Sequence, residues 1–476
     1  MPSPSPCQHL RSILSCFRRG TACRPSSFRI LPAAIFSFML LSPFPRIPAA
    51  EAELPLQAGW AVVEITPPKP VNLVGQYEKR ISVSVRDPLT ATALALETRG
   101  GPGAPEQAIL VSCDLVGIQK AITDRLREKL RPRLPDFDVR KLILNGTHTH
   151  TGPGLVETSY KPYDLSGDPG VMKPSEYADF FIERVAQAAA DAWQARKPAG
   201  VSWGLGYAST GTNRRASYFD GKSTMYGKTE DENFSHVEGS RDDGVEMLYF
   251  WSAERNLTGI VVNIACTSQE TEGIKEVSAD FWHETREEIR KRLGADVRVL
   301  PQCAAAGDQS PHLLYRVRAE EIMAQRRGLT RRQEIARRIA GAVEDVLPVA
   351  KGDIRTALIF RHEVVSVDIP ERDPPRKPFY ETDSVHPIEI HVLRVGDIAM
   401  ATNPFELYLD YGARIKARSK AVLTLLVQLC CMDCGYLPTE RGVRGGGYSA
   451  DEFVVGPEGG QKLVNETVRT VNQLFP

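Results

Sequence analysis

No charge of either sign is in excess in this sequence: lysine and arginine together number 59, aspartate and glutamate also 59, and neither forms a long run. That balance argues against a nucleic-acid partner and an acidic tail, and it suits a neutral or amphiphilic substrate. A confident membrane span is missing too. The apolar stretch from Ile30 to Phe44 is broken by Pro32 and Pro43 and falls short of the about 20 residues that a bilayer requires. Cysteine is sparse, and Cys7, Cys16 and Cys23 stand in the first segment of the chain. Of the rest, Cys431-Met-Asp-Cys434 has no second pair to complete a structural zinc site, so most are expected to be small buried residues. There is no repeat, no low-complexity segment and no His-Glu-x-x-His motif. Histidine is scarce as well, nine residues in all, and two of them stand together at His148 and His150.

What is present begins with an address. Arg18, Arg19, Arg24 and Arg29 precede the Ile30–Phe44 stretch, and Ala50-Glu51-Ala52 offers a small-x-small cleavage site. Residues 1–52 therefore read as an export signal, with a retained N-terminal anchor as the alternative, and an exported protein is expected. Residues 53–476 contain no internal linker and read as one large catalytic domain.

Alternation and length predict strands at Ala58–Thr66, Ala91–Glu97, Ala108–Asp114, Val245–Trp251, Gly259–Ala265, Val297–Pro301, Arg355–Val367, Ile388–Thr402 and Leu423–Cys430. Helical periodicity predicts helices at Ile122–Leu130, Glu176–Arg196, Ala279–Leu293, Arg318–Val346, after Glu406 to Arg418, and at Gln461–Phe475. Strands alternating with helices give an α/β fold of mixed β-sheets covered by helices. The polar, glycine-rich stretch from Tyr207 to Gly244, with Asn213-Arg214-Arg215, reads as a surface or substrate-facing loop, and the two arginines as part of a polar rim.

The apolar run Lys141–Leu144 leads into Asn145-Gly-Thr-His148-Thr-His150-Thr-Gly-Pro-Gly154. In an extended segment both imidazoles point to one side, roughly 6.5 Å apart along the chain, where the pair can hold a metal or divide the work between metal and substrate. Ser310, Glu406 and Tyr436 also fall at the ends of apolar runs, where α/β folds commonly place reactive groups.

Four blocks carry a resemblance: His148-Thr-His150-Thr-Gly-Pro-Gly, Gly307-Asp308-Gln309-Ser310-Pro311, Pro404-Phe405-Glu406 and Gly435-Tyr436. With Glu64-Ile-Thr-Pro67 and Val111-Ser-Cys-Asp-Leu115, they resemble the neutral, non-lysosomal ceramidases over nearly the whole chain after the leader. The resemblance implies a zinc-dependent amidase that cleaves ceramide to a sphingoid base and a fatty acid. It implies His148, Glu406 and Tyr436 as zinc ligands, His150 beside the metal near the substrate carbonyl, and Ser310 as the catalytic serine. Imidazole and carboxylate suit zinc, which keeps one position open in catalytic sites. Two routes are open: a metal hydroxide attacks and Ser310 hydrogen-bonds the oxyanion, or Ser310 itself attacks.

The sequence departs from that family at two places. Where a further zinc histidine is expected, the stretch is Asn263-Ile-Ala265-Cys266-Thr-Ser268, with alanine at the ligand position; Cys266, His283 and His312 are the candidates to replace it. The family's small C-terminal β-sandwich domain has no counterpart after the Tyr436 region, so lipid presentation is expected to differ. Two alternatives accompany the ceramidase reading: hydrolysis of another amide or ester on the same scaffold, and a metal-free protein that binds a lipid or glycan.

Overall fold

The structure, a computed structural model, describes residues 52–101, 104–373 and 380–475. All of the expected leader except Ala52 lies outside them. Within the strand Thr90–Thr98, Ala91, Ala93 and Ala95 face one way and Leu94 and Leu96 the other. The alanines meet Tyr177, Phe181, Val185 and Ala192 of the helix Pro174–Gln194, and small side chains there let the helix lie close to the sheet. The leucines pack with Leu393, Met400 and Leu425 of a second sheet.

The larger sheet has the strand order 298–303, 257–264, 244–252, 197–207, 54–64, 90–98, 106–113, 142–146, with Ala357–Leu358 added beside 54–64. Its two outermost pairs are parallel and the rest antiparallel. The smaller sheet runs 360–367, 388–395, 398–402, 423–427, and its last pair is again parallel. Helices Pro174–Gln194, Phe281–Leu293 and Arg331–Gly352 cover the outside of the large sheet, while Leu409–Arg418 and Pro457–Leu474 cover the small one. The result is a layered α/β fold of mixed sheets between helices, as the alternation of elements implies.

One unit occurs three times: two antiparallel strands, a helix, and a strand parallel to the second. It spans 90–146, 244–303 and 388–427. No sequence repeat marks it, because only the topology recurs. Parallel pairing needs a crossover helix, and each crossover leaves two loops at the same end of its strands.

Several elements differ from the sequence reading. The long helix expected at Arg318–Val346 is two helices, Val317–Arg326 and Arg331–Gly352, separated at Gly328 (φ +69) and restarted by a capping box between Thr330 and Gln333. The strand expected at Ile388–Thr402 is a hairpin turned at Gly396 (φ +62). The strand Lys197–Tyr207 has no counterpart among the expected elements, since Pro198 and its glycines read as breakers. A Cβ added at Gly204 would lie 2.4 Å from Val346, so the glycine there serves close helix packing rather than a turn. The stretch between Tyr207 and Gly244, which reads as a loop, forms a small three-stranded sheet.

Glu334, in the first turn of Arg331–Gly352, is buried among Arg327, Arg337 and Arg338. The Arg337 hydrogen bond leads in holding its carboxyl down at about 2, against the opposing effect of burial. The folded-state pKa lies below the unfolded one, so this stabilisation is complete above about pH 4.5 and is lost as pH falls toward 2. Glu334→Gln is expected to cost about 2 kcal/mol at pH 7, a value discounted for the partly exposed arginines, and to flatten the acid limb of stability against pH. Urea titrations of both proteins between pH 3 and 7 check it; parallel curves would refute it.

Candidate active site

The three topological repeats aim their loops at one place. From the first come Asp114–Gly117 and Thr147–Thr151, joined by Thr147 N–H to Cys113 O and His148 N–H to Leu115 O, both 2.9 Å. From the second come the segments after Ile264 and after Cys303; Ser268 Oγ donates to Thr147 O at 2.8 Å. From the third come Glu406 and Tyr436, paired as neighbours in a short parallel ladder. Gly307 of the second donates its N–H to Leu407 O of the third at 2.8 Å.

His148 and His150 share a side, but not through strand alternation. The strand ends at Gly146, and His148 adopts a left-handed backbone (φ +64) that turns its ring inward. The two Nε2 atoms lie 3.3 Å apart, and His148 Nε2 is 3.4 Å from Glu406 Oε2. His148 Nδ1 faces the Val116 carbonyl at 2.8 Å, so Nδ1 carries the proton and Nε2 a lone pair. His150 Nδ1 faces Glu272 Oε2 at 3.1 Å, and burial holds this ring below its usual pKa, so its Nε2 also presents a lone pair.

The His148 Nε2 lone pair thus lies next to both the His150 Nε2 lone pair and the buried Glu406 Oε2, which has no hydrogen-bond donor. Burial alone would depress the His148 pKa, yet the Glu406 carboxylate outweighs it and raises the affinity of this nitrogen for a cation. Such a donor set fits zinc, with Tyr436 beside Glu406.

Arg214 and Arg215 are buried, not on a rim. Arg214 Nη2 donates to Tyr436 Oη at 3.1 Å and to Gly307 O at 2.9 Å, and Nη1 reaches Tyr226 Oη at 3.4 Å. Burial works against its charge, but Tyr436, Tyr226 and Glu406 more than compensate and hold the proton firmly. Burial, with the Glu406 charge next, pushes the Tyr436 phenol well above its usual range, so it is neutral. Arg215 is locked to Glu238 at 2.9 Å and to the carbonyls of Tyr448 and Gly446, which is a structural role.

A cavity of about 420 Å³ opens at this centre, with His148, His150, Glu406 and Tyr436 at its polar end and Val74, Leu155, Val156 and Met172 among its apolar walls. Its size and mixed lining suit a small amphiphile. Asp433 also lines it; burial, followed by the Glu406 charge, pushes this carboxyl up to about 7.

Ser310 does not line the cavity. It is fully buried, and its Oγ accepts hydrogen bonds from Tyr226 Oη at 3.0 Å and from the His312 N–H at 3.1 Å, so that Tyr226 and Arg214 connect it to Tyr436. Ala265 is packed against Ala304 and Leu409, and Cys266 points into the core with Ile264 and Phe281, on the face opposite a ligand position. Burial pushes the Cys266 thiol well up, which suits a core residue. His283 sits on the helix Phe281–Leu293 beside Glu284 and Glu287, away from the cavity. His312 comes nearer, its Nε2 2.5 Å from Gln269 O and 3.8 Å from Glu272 Oε1. Cys266 and His283 therefore do not reach the centre as a replacement ligand, and His312 is bonded to Gln269 O.

Glu272, Tyr226 and Asp433 are not recognisable as site residues in the sequence. They are single polar residues in loops, and nothing local marks them.

Gly75 lines the cavity and backs the His150 ring. It has φ +99, and a Cβ there would lie 2.7 Å from Cγ of His150. Gly75→Ala is expected to cost about 1–2 kcal/mol through backbone strain and to lower turnover about tenfold by displacing the ring. Stability and kcat measured together check this; an unchanged kcat would show that the ring position is not critical.

Fold and site together describe a layered α/β scaffold with a gathered imidazole, carboxylate and phenol set at its strand ends. No protein-family model and no curated protein matches the sequence. Among solved structures, the chain is similar to a ceramidase complexed with C2, at a TM-score of 0.69 and 16% identity over 87% of this chain and 74% of that one. It is equally similar to the neutral ceramidase from Pseudomonas aeruginosa, with TM-score 0.69 and 16% identity over 89% and 75%. The fold is therefore that of the neutral ceramidases.

Proposed function

We propose that this chain is a zinc-dependent amidohydrolase that cleaves the N-acyl bond of ceramide or a related N-acyl lipid, releasing a sphingoid base and a fatty acid. The observation that carries the reading is His148 Nε2 lying 3.3 Å from His150 Nε2 and 3.4 Å from the unpaired Glu406 Oε2 at the polar end of an apolar-walled cavity, on a ceramidase fold. His148, Glu406 and Tyr436 would hold the zinc. When bound there, zinc polarises a carbonyl and lowers the pKa of a water to about 7.

The chain's own groups supply the rest. The Val116 carbonyl fixes the His148 tautomer, and Glu272 fixes that of His150, leaving Nε2 of His150 free to take a proton beside the substrate carbonyl. Asp433 lines the same cavity, and burial, which raises its carboxyl pKa, makes it a candidate proton donor to the leaving amine. Ser310 keeps the role of nucleophile or oxyanion donor that the resemblance implies, but it stands behind Tyr226 and outside the cavity, so that role requires Tyr226 to move aside. Its Oγ already receives two hydrogen bonds, which lowers the cost of negative charge on that oxygen. Arg214 holds Tyr436, Tyr226 and Gly307 in register. The same reading takes residues 1–52 as an export leader; among the described residues no helix is long and apolar enough to cross a membrane.

The test is to supply purified protein, in zinc-containing buffer, with ceramides of long and short acyl chain and with short soluble N-acyl amines and esters. Fatty-acid release from ceramide supports the proposal. Turnover confined to the soluble substrates would replace it with an amidase or esterase of other specificity, and no turnover with tight lipid binding would make the chain a binding protein.

A further inference from the structure

A second cluster of ligand-type side chains lies away from the cavity. Glu389 and His391 come from the strand Ile388–Val395, and Cys431 from the segment after the strand Leu423–Val427. Among the described residues, these three form the one group of histidine, cysteine and carboxylate side chains whose ligand atoms all lie within 4.8 Å of one another. His391 Nε2 is 2.8 Å from Glu389 Oε1 and 3.7 Å from Cys431 Sγ. A tetrahedral zinc sets nitrogen–oxygen ligand separations at roughly 3.4 Å and nitrogen–sulfur separations at roughly 3.6 Å, so the sulfur is in place and the carboxylate needs a small outward shift.

Counting protons shows what the cluster lacks. His362 Nδ1 faces the Gln107 carbonyl at 2.9 Å, and a carbonyl only accepts, so this nitrogen carries the proton. His362 Nε2 is therefore the acceptor toward His391 Nδ1, 2.9 Å away, and His391 Nδ1 must carry its own proton. That leaves His391 Nε2 with a lone pair aimed at a carboxylate oxygen 2.8 Å off, which is itself an acceptor. Two neutral imidazoles cannot satisfy the chain; a proton or a metal cation has to join Nε2 and Oε1.

An extra proton would do this, at the cost of an imidazolium close to Arg127, which already neutralises Glu389 with bonds of 2.6 and 3.0 Å. A metal ion does it and also recruits the sulfur. Cys431 has a left-handed backbone (φ +61) that brings Sγ into the cluster, where it faces the Leu144 N–H at 3.4 Å and Arg127 Nη2 at 4.0 Å. Without a metal, burial pushes the thiol up to about 12 and it faces the Leu142 carbonyl at 3.7 Å, so metal binding would have to displace its proton. The relay from His391 through His362 to a carbonyl is the outer support that metal-bound imidazoles usually have. Glu389 is partly exposed and gives a way in.

We propose that Glu389, His391 and Cys431 bind a divalent transition-metal ion, with zinc the best match, as a structural site separate from the catalytic one. The site ties the segment that carries Tyr436 to the histidine strand, since Cys431 N–H also donates to Leu144 O at 2.9 Å. This inference goes beyond the proposed activity, and its sulfur ligand distinguishes the two sites: the proposed catalytic donors include no cysteine.

The experiment is elemental analysis of the purified chain and its Cys431→Ser and His148→Ala variants, together with absorption spectra after exchange into cobalt(II). Two metal ions per chain are expected, falling to one in each variant. A sulfur-to-cobalt charge-transfer band in the near ultraviolet is expected in the wild type and in His148→Ala, and its loss in Cys431→Ser. Should Cys431→Ser fail to fold, the spectrum of wild type and His148→Ala decides alone. Absence of the band from the folded, cobalt-loaded wild type overturns the proposal and leaves the cluster a protonated hydrogen-bond network.

Discussion

His148→Ala is expected to lower amide hydrolysis about 10³–10⁵-fold while the protein stays folded. The residue supplies the single imidazole of the proposed ligand set, and its Nε2 is the atom that lies next to both His150 Nε2 and Glu406 Oε2. Without it the remaining donors are a carboxylate and a neutral phenol, too few to hold zinc. The structural cost is small by comparison. The ring's one bond to the main chain goes to Val116 O, and an acceptor left without its donor costs about 1–3 kcal/mol. The left-handed backbone at position 148 suits histidine somewhat better than alanine, so the substitution adds a small strain to this cost. Zinc content, unfolding midpoint and fatty-acid release measured on one preparation check the expectation. A folded variant that keeps full activity would remove the metal centre from this place.

The other large effect belongs to Arg214. Arg214→Met is expected to cost about 3–5 kcal/mol, because a buried guanidinium that bonds Tyr436, Tyr226 and the Gly307 carbonyl disappears and leaves those partners unsatisfied. A drop of about 10²–10³ in kcat should accompany it. With the cation gone, the Tyr436 hydroxyl loses its 3.1 Å donor and is no longer tied to Tyr226 and, through it, to Ser310. Arg214→Lys is not expected to restore either property, since one ammonium cannot reproduce a planar fork that reaches three oxygens. Denaturant midpoints and steady-state kinetics of the three proteins check this. Full rescue by lysine would mean that charge alone matters at this position.

Much of the scaffold is legible in the amino-acid sequence. The alternation in Thr90–Thr98 and Glu106–Cys113 and the periodicity of Pro174–Gln194 are local signals, and each fixes an element because one face has to be buried. Lys197–Tyr207 is illegible because its glycines answer to a helix, Arg331–Gly352, that lies far along the chain. The site divides in the same way. His148 and His150 are adjacent and stand at the end of an apolar run, which makes them findable. Arg214 has the local look of a solvated loop charge, and only the small sheet around it turns the side chain inward toward Tyr436. Cys431 reads as a small buried residue because Cys434 is its sole local partner; its actual neighbour, His391, is forty residues away and arrives by sheet pairing.

The sequence by itself determined which segments alternate, which faces are apolar, and which reactive residues stand at the ends of apolar runs: His148, His150, Ser310, Glu406 and Tyr436. These are properties of short windows, set by side-chain period and by the exclusion of polar groups from a core. The tertiary structure alone decided that three strand–helix–strand crossovers deliver His148, His150, Glu406 and Tyr436 to one cavity. It also decided that Ala265 and Cys266 belong to packing, that Ser310 stands behind Tyr226, and that a cysteine meets a histidine beneath the site. Those outcomes depend on register and layer packing between segments far apart along the chain, which no short window contains.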